Sequence, residues 1–375
     1  MSLRSRSAAL LAVPALAALV LAGCGSSEPG SVPDPGSPVT ASDGTVLAPP
    51  GDGGPSAVAP TGPPEDVTTG LDAPWSVAFH GSTALISERD TGRVLELLAD
   101  GSTREVATID DVEHGGEGGL LGLAVADGEL FAYSTGPDGN RVQRLAIEGA
   151  PGSLSLGRPA TVIDGLPSDR VHNGGRLAVG PDGMLYVSVG DAADPDAAQD
   201  VESPNGTILR LRLDGSVPED NPFPGSPVWS YGHRNVQGMA WAADGTMFAT
   251  EFGANTWDEL NLIVPGENYG WPVVEGRAGR EGFVDPVQQW ATSEASPSGL
   301  ARIGGTLFVA NLRGRVLRSV PVADPSTAQV LYDAYGRIRA AVAAPDGSLW
   351  FVTNNTDGRG DPGPGDDRIV RVPVG

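Results

Sequence analysis

Two short segments set histidine beside arginine and asparagine: Val171-His172-Asn173-Gly174-Gly175-Arg176 and Gly232-His233-Arg234-Asn235. The chain has only four histidines, so half of them sit in glycine-bracketed, arginine-bearing segments. A neutral imidazole accepts a proton near pH 7, and a planar guanidinium pairs with carboxylates through two parallel donors. A histidine base beside fixed arginines suits removal of hydride and proton from a polyol better than metal-assisted hydrolysis. His172 is the expected base, with Gly174 and Gly175 allowing close approach to a flat ligand. His233 reads as a residue that orients its loop, and His80 and His114 as surface histidines. Arg234, the Arg337-Ile338-Arg339 pair at the start of an apolar strand, and Arg313 supply cations for an anionic ligand.

The elements that would position these residues repeat along the chain. Short alternating strands recur in six sets: 75–79, 84–87 and 93–97; 120–125, 130–133 and 141–145; 176–179, 185–189 and 208–211; 237–241, 247–250 and 259–263; 299–303, 307–310 and 315–318; 341–343, 349–353 and 368–372. Asp-Gly turns such as Asp182-Gly183, Asp244-Gly245 and Asp346-Gly347 separate strands, and the sets return at intervals of roughly 40 to 63 residues. No long stretch has helical periodicity. The expected fold is all-β, a six-bladed β-propeller of four-stranded antiparallel blades, in which each sheet buries its faces against its neighbours. The outermost strand of each blade is poorly marked. The first strand of each set is expected to be innermost, so that His172, Arg234 and Arg339 converge at one mouth of the central channel.

The N-terminus reads as a targeting device. Arg4 and Arg6 precede an apolar run over residues 8–21, which ends in Leu21-Ala22-Gly23-Cys24. This predicts a lipoprotein signal peptide over residues 1–23 and lipidation of Cys24, the only cysteine. Residues 24–66 are rich in Gly, Pro and Ser and read as a flexible tether. The propeller is expected over residues 67–375, exported and held at the outer face of the bacterial cell membrane by its lipid alone. A formal net charge of −23 excludes nucleic acid as a partner, since phosphates would be repelled. A monomer is the default expectation.

Several ordered motifs resemble the soluble quinoprotein glucose and aldose sugar dehydrogenases, the glucose/sorbosone dehydrogenase family. They are Gly118-Gly119-Leu120-Leu121-Gly122-Leu123, the run from His172 to Leu177, Tyr231-Gly232-His233-Arg234-Asn235-Val236-Gln237-Gly238, Asp258-Glu259-Leu260-Asn261, Asn268-Tyr269-Gly270-Trp271-Pro272, Pro297-Ser298-Gly299-Leu300 and the Arg337/Arg339 pair. The resemblance spans nearly all of the expected folded part. It implies a propeller that binds pyrroloquinoline quinone (PQQ) and calcium, oxidises aldose sugars at C1 to the lactone, and passes electrons to a separate acceptor other than NAD or oxygen.

Residue by residue, the resemblance implies that His172 is the general base and that Arg234 and Asn235 contact cofactor and substrate. Arg337 and Arg339 match the cofactor-binding arginines, and Arg313 stands where a lysine is usual. The backbone carbonyls of Gly253 and Ala254 match ligands of the active-site calcium, with Ala254 replacing a proline. Asp258, Glu259 and the Tyr269 backbone resemble a second calcium site. Glu117 occupies the place of a glutamine that contacts sugar and base, and as a carboxylate near His172 it would favour imidazolium. Val171 replaces an aspartate. Trp271 and Trp290 are candidates for the sugar cleft, Asp191 for a loop-shaping residue, and Asp357, Asp361, Asp366 and Asp367 for a solvated loop. Two other readings stay open at this point: a non-catalytic ligand-binding propeller, and a calcium-dependent lactonase-type hydrolase. The sugar itself is not legible, because specificity lies in loop length and pocket shape.

Overall fold

Alternating side chains bury one strand face against each neighbouring sheet, and six such sheets close a ring around a central channel. The computed structural model describes residues 39–41, 45–47 and 54–375. The signal peptide expected over residues 1–23, Cys24 and most of the expected tether lie outside the described residues. The blades follow the chain, each with its first strand innermost. The inner strands are Pro74–His80, Leu120–Ala126, Leu177–Val179, Val236–Trp241, Pro297–Ile303 and Ile338–Ala343. Five blades have four strands, and the second carries two short strands, Ser155–Leu156 and Ala160–Leu166, on its third strand Gly139–Glu148.

One pairing recurs in all six blades. Inner-strand alanines Ala78, Ala124, Ala178, Ala240, Ala301 and Ala341 lie opposite Leu85, Phe131, Tyr186, Phe248, Phe308 and Phe351 on the second strands. All six larger residues are buried. Blades converge toward the axis, so small side chains fit inside and bulky ones fill the wider wedge one strand out. The Asp-Gly turns hold as expected; Gly245, for example, has φ +93°.

The last blade takes its outer strand from the N-terminal side. Glu65–Thr69 pairs antiparallel with Arg368–Val372, with Thr68 opposite Ile369 and Glu65 opposite Arg371. Upstream of that strand, Ser56 accepts from the Gly305 N–H at 2.7 Å, the Val58 N–H donates to Thr306 Oγ1 at 2.9 Å, and Ala59 exchanges backbone hydrogen bonds with Gly375. The expected boundary between tether and propeller at residue 66/67 therefore falls inside the body, which includes the chain from about residue 54. Composition concealed this because main-chain hydrogen bonds, with little apolar burial, hold the segment. Further upstream, Val39–Thr40 pairs with Val46–Leu47, and Leu47 packs on the core of the fourth and fifth blades. Among the described residues no helix is long and apolar enough to cross a membrane.

Candidate active site

His172 lies five residues ahead of the third inner strand, at the channel mouth where inner strands begin. Its backbone is left-handed, φ +57°, an uncommon conformation for a residue with a side chain. The turn is held on both sides: its N–H donates to Glu117 Oε2 at 2.9 Å, and its carbonyl accepts from Ala192 at 3.2 Å. Gly190 is required beside it, because a Cβ there would stand 1.8 Å from the His172 carbonyl oxygen. Gly174 and Gly175 allow close approach to the Ser188 carbonyl and the Leu121 side chain.

The imidazole is fixed at both nitrogens. Nδ1 lies 2.7 Å from Asp191 Oδ1, and Nε2 lies 2.6 Å from Arg234 Nη2. A guanidinium can only donate, so Nε2 carries the lone pair and Nδ1 carries the proton given to Asp191. That tautomer is the one a base acting through Nε2 requires. Asp191 is 1% exposed, and its Oδ2 accepts from Trp271 Nε1 at 2.8 Å. The Arg234 guanidinium lies 5.4 Å from the Trp271 ring centre and donates to the Gly253 carbonyl at 2.6 Å. Asp191, read from sequence as shaping a loop, is the residue that orients the imidazole. Its signal was faint: a Gly190-Asp191 pair just past a strand.

A second polar layer lies farther along the inner strands. Trp75 is faced by Arg176 at 4.2 Å and Arg339 at 5.7 Å. Arg339 donates to Asn354 Oδ1 and Gln237 Oε1, and Arg176 to the Gln237 carbonyl. Burial pushes both guanidinium groups down to about 9. Arg337 pairs with Asp357 at 2.9 Å, and Asp357 is buried, not part of a solvated loop. Asp367 is likewise buried, accepting from Thr353 Oγ1 at 2.9 Å and from the Asn355 N–H. Arg176 Nη2 and Arg234 Nε are buried without a hydrogen-bond partner. Arg313 is exposed and makes no ion pair among the described residues.

Four further expectations meet a different arrangement. Trp290 is 8% exposed and packs in the core under Arg318, so it does not line the cleft; Trp271 is the tryptophan at the site. Asn235 is fully buried, its Oδ1 accepting from the Gly174 N–H at 3.0 Å and its Nδ2 donating to Glu117 at 3.2 Å. Glu117 meets the backbone N–H of His172 and not its ring. His233, by contrast, keeps the role expected of it: it is buried between Ser230 and Glu251, stacks on Tyr269 and holds its loop.

The calcium ligands are the fourth. Arg234 already occupies the Gly253 carbonyl, the Ala254 N–H is bound by Glu275, and both Asp258 oxygens accept backbone N–H groups, from Gly253 and Ser296. Glu259 accepts from Gly276 and Asn261. Among the described residues no group of three or more His, Cys, Asp or Glu is arranged to hold a metal. As they stand, the Gly253 carbonyl is held by a guanidinium and the Asp258 oxygens by backbone N–H groups.

The order of these side chains around six inner strands can be set against known proteins. The family described as glucose/sorbosone dehydrogenase matches residues 71–363. This chain belongs to that family. A PQQ-bound aldose sugar dehydrogenase from Streptomyces coelicolor is similar at 45% identity and TM-score 0.80, over 88% of this chain and 100% of that one. A putative oxidoreductase (glucose dehydrogenase) from Thermus thermophilus is similar at 38% identity and TM-score 0.75, over 83% and 99%. An aldose sugar dehydrogenase of Escherichia coli (strain K12) is 30% identical over 77% of this chain and 89% of its own length. Within the glucose/sorbosone dehydrogenase family, this chain contains no lysine, so every permanent side-chain cation at its site is a guanidinium.

Proposed function

We infer that this protein is a PQQ-dependent dehydrogenase that oxidises aldose sugars at C1 to the lactone. The observation that carries the reading is His172 held between Asp191 and Arg234 with its Nε2 lone pair at the channel mouth. Family membership and the likeness to a PQQ-bound aldose sugar dehydrogenase support the cofactor. The donor set fits it as well: PQQ carries three carboxylates, and buried guanidinium atoms without partners together with an exposed, unpaired Arg313 suit such an anion. Arg234, Arg313, Arg337 and Arg339 would hold it. When bound, the quinone supplies a two-electron hydride acceptor.

The chain's own residues supply the proton chemistry. Oxidation of the anomeric carbon removes a hydride and a hydroxyl proton, and His172 Nε2 takes the proton. Asp191 keeps Nδ1–H in place and stabilises the imidazolium that forms. Arg234 yields Nε2 to the incoming hydroxyl. The near-complete burial of Asp191 strengthens its hold on the imidazolium.

Calcium enters the proposal through Gly253, Ala254, Asp258, Glu259 and Tyr269, and it requires Arg234 to release the Gly253 carbonyl. The remaining partners are an aldose, a separate electron acceptor and, through Cys24, a membrane surface; the protein is proposed as an exported, lipid-anchored monomer. The test titrates the purified full chain with PQQ, with calcium and after chelation, and follows dye reduction with a panel of aldoses. The expected outcome is PQQ-dependent turnover that falls by about 10²- to 10⁴-fold in His172→Ala while the melting temperature holds. Folded protein that binds no PQQ would instead indicate a ligand-binding propeller.

A further inference from the structure

The loop over residues 354–367, between the second and third strands of the last blade, is tied back to the site. Its Asp357 accepts from Arg337 Nε and Nη2 at 3.2 and 2.9 Å, and Arg89 donates to the Asp357 carbonyl at 3.3 Å. Asp357 Oδ1 in turn accepts the Arg359 N–H at 2.9 Å. From that anchored position Arg359 Nη1 reaches Glu117 Oε1 at 3.1 Å, across 242 positions of sequence. Glu117 Oε2 already has two donors, the His172 N–H at 2.9 Å and Asn235 Nδ2 at 3.2 Å. A carboxylate offers about four acceptor directions, two on each oxygen. Oε1 holds one donor among the described residues, so one acceptor direction remains on the carboxylate that supports the base.

We propose that Arg359 is a positioning residue that fixes Glu117 Oε1 as the acceptor for a hydroxyl of the sugar, and so selects neutral polyhydroxylated substrates. The proposal rests on the sugar-oxidising reading above. A substrate lacking that hydroxyl leaves a partly buried acceptor without its partner, and sites built to hydrogen-bond a substrate hydroxyl discriminate against analogues that lack it. A carboxylate in its place meets like charge. Arg359 itself is half exposed, with a side-chain exposure of 47%, so its replacement leaves the core intact.

Glu117 also provides a readout that a merely structural role would not move. The titratable and charged groups facing it are His172, Arg359 and, farther off, Arg339. Burial would raise its carboxyl, but the His172 N–H and the Arg359 charge more than offset this and hold it below the usual range. Without Arg359 the carboxyl rises, and the acid limb of kcat/KM moves to higher pH.

The experiment compares wild type, Arg359→Ala, Glu117→Ala and the double variant, as full chains with PQQ and calcium. Calorimetric titration with D-glucose and with its monodeoxy analogues measures binding, and dye reduction measures KM, kcat and the pH profile. Arg359→Ala is expected to weaken glucose binding about tenfold, to raise KM more than it lowers kcat, and to narrow discrimination against one monodeoxy sugar. In the Glu117→Ala background the second substitution should cost nothing more. Glucose affinity unchanged in Arg359→Ala, or additive effects of the two substitutions, would overturn the proposal, as would a wild type that binds no aldose. A wild type that binds glucose without oxidising it removes the dehydrogenase reading alone, and the Arg359→Ala affinity still decides this one.

Discussion

At the scale of single residues, His172 depends on a partner that supplies no chemistry of its own. Asp191 holds Nδ1–H at 2.7 Å and is itself held by Trp271 Nε1 and the Ala193 N–H. Asp191→Asn can present its amide N–H to Nδ1, which reverses the tautomer and removes the lone pair from Nε2. Turnover should fall by on the order of 100-fold or more, with sugar affinity changed far less, as steady-state kinetics beside calorimetric binding would show. Asp258 bears on the metal. Burial pushes its carboxyl up to about 6, against backbone N–H donors that pull it down. A raised acid makes its stabilising contribution below its unfolded value and loses it as pH rises through about 6. A bound cation would remove that loss, so calcium at Asp258 should raise the melting temperature more at about pH 7.5 than at about pH 5. An equal increment at both values, measured against chelated protein, would place the ion elsewhere.

At the scale of elements, the ring is closed by a strand of five residues contributed from the far end of the chain. A chain beginning at residue 54 keeps Glu65–Thr69 and the contacts of Ser56, Val58 and Ala59. It should melt like the full protein. A chain beginning at residue 70 leaves Arg368–Val372 as an open edge and the last blade without its fourth strand, so its melt should broaden and shift down by many degrees. Beginning at residue 67 loses the Glu65 and Asp66 pairings and should fall between the two. The alanine-to-bulky ladder makes a separate claim about packing. Ala240→Leu would press on Phe248 where the wedge is narrowest, and should cost about 1–3 kcal/mol, read as a lower denaturation midpoint.

At the scale of the molecule, the two ends of the channel do different work. All inner strands run the same way, so His172, Arg234 and Arg337 lie at the end where they begin. Ser56 and Val58 contact Gly305 and Thr306, past the point where an inner strand ends. Residues 56–58 therefore lie on the face opposite the site. Immobilising the protein through a tag ahead of residue 54 should leave turnover of a small sugar intact, while a tag inserted in the 354–367 loop should abolish it. The rate with sugar on beads, against the rate in solution, checks both.

Local chemistry alone determined a good part of this protein. Strand alternation, Asp-Gly turns and their repeat specify six hairpin-rich units without a helix layer, because period-two burial and φ-positive turns are properties of neighbouring residues. His172 and Arg234 were legible as types in context. Their further partners were not: Asp191, Trp271 and Arg359 come from other loops, and which of Trp271 and Trp290 meets the site depends on strand position within the blade. Closure by Glu65–Thr69 was equally hidden, because a polar five-residue strand is specified by the edge it completes. Calcium sites inferred from residue order met carbonyl and carboxylate oxygens already bound by Arg234 and backbone N–H groups. Sequence order names which donors exist; only the fold decides which of them stay available, since every hydrogen bond formed across blades takes an acceptor that no local pattern can assign.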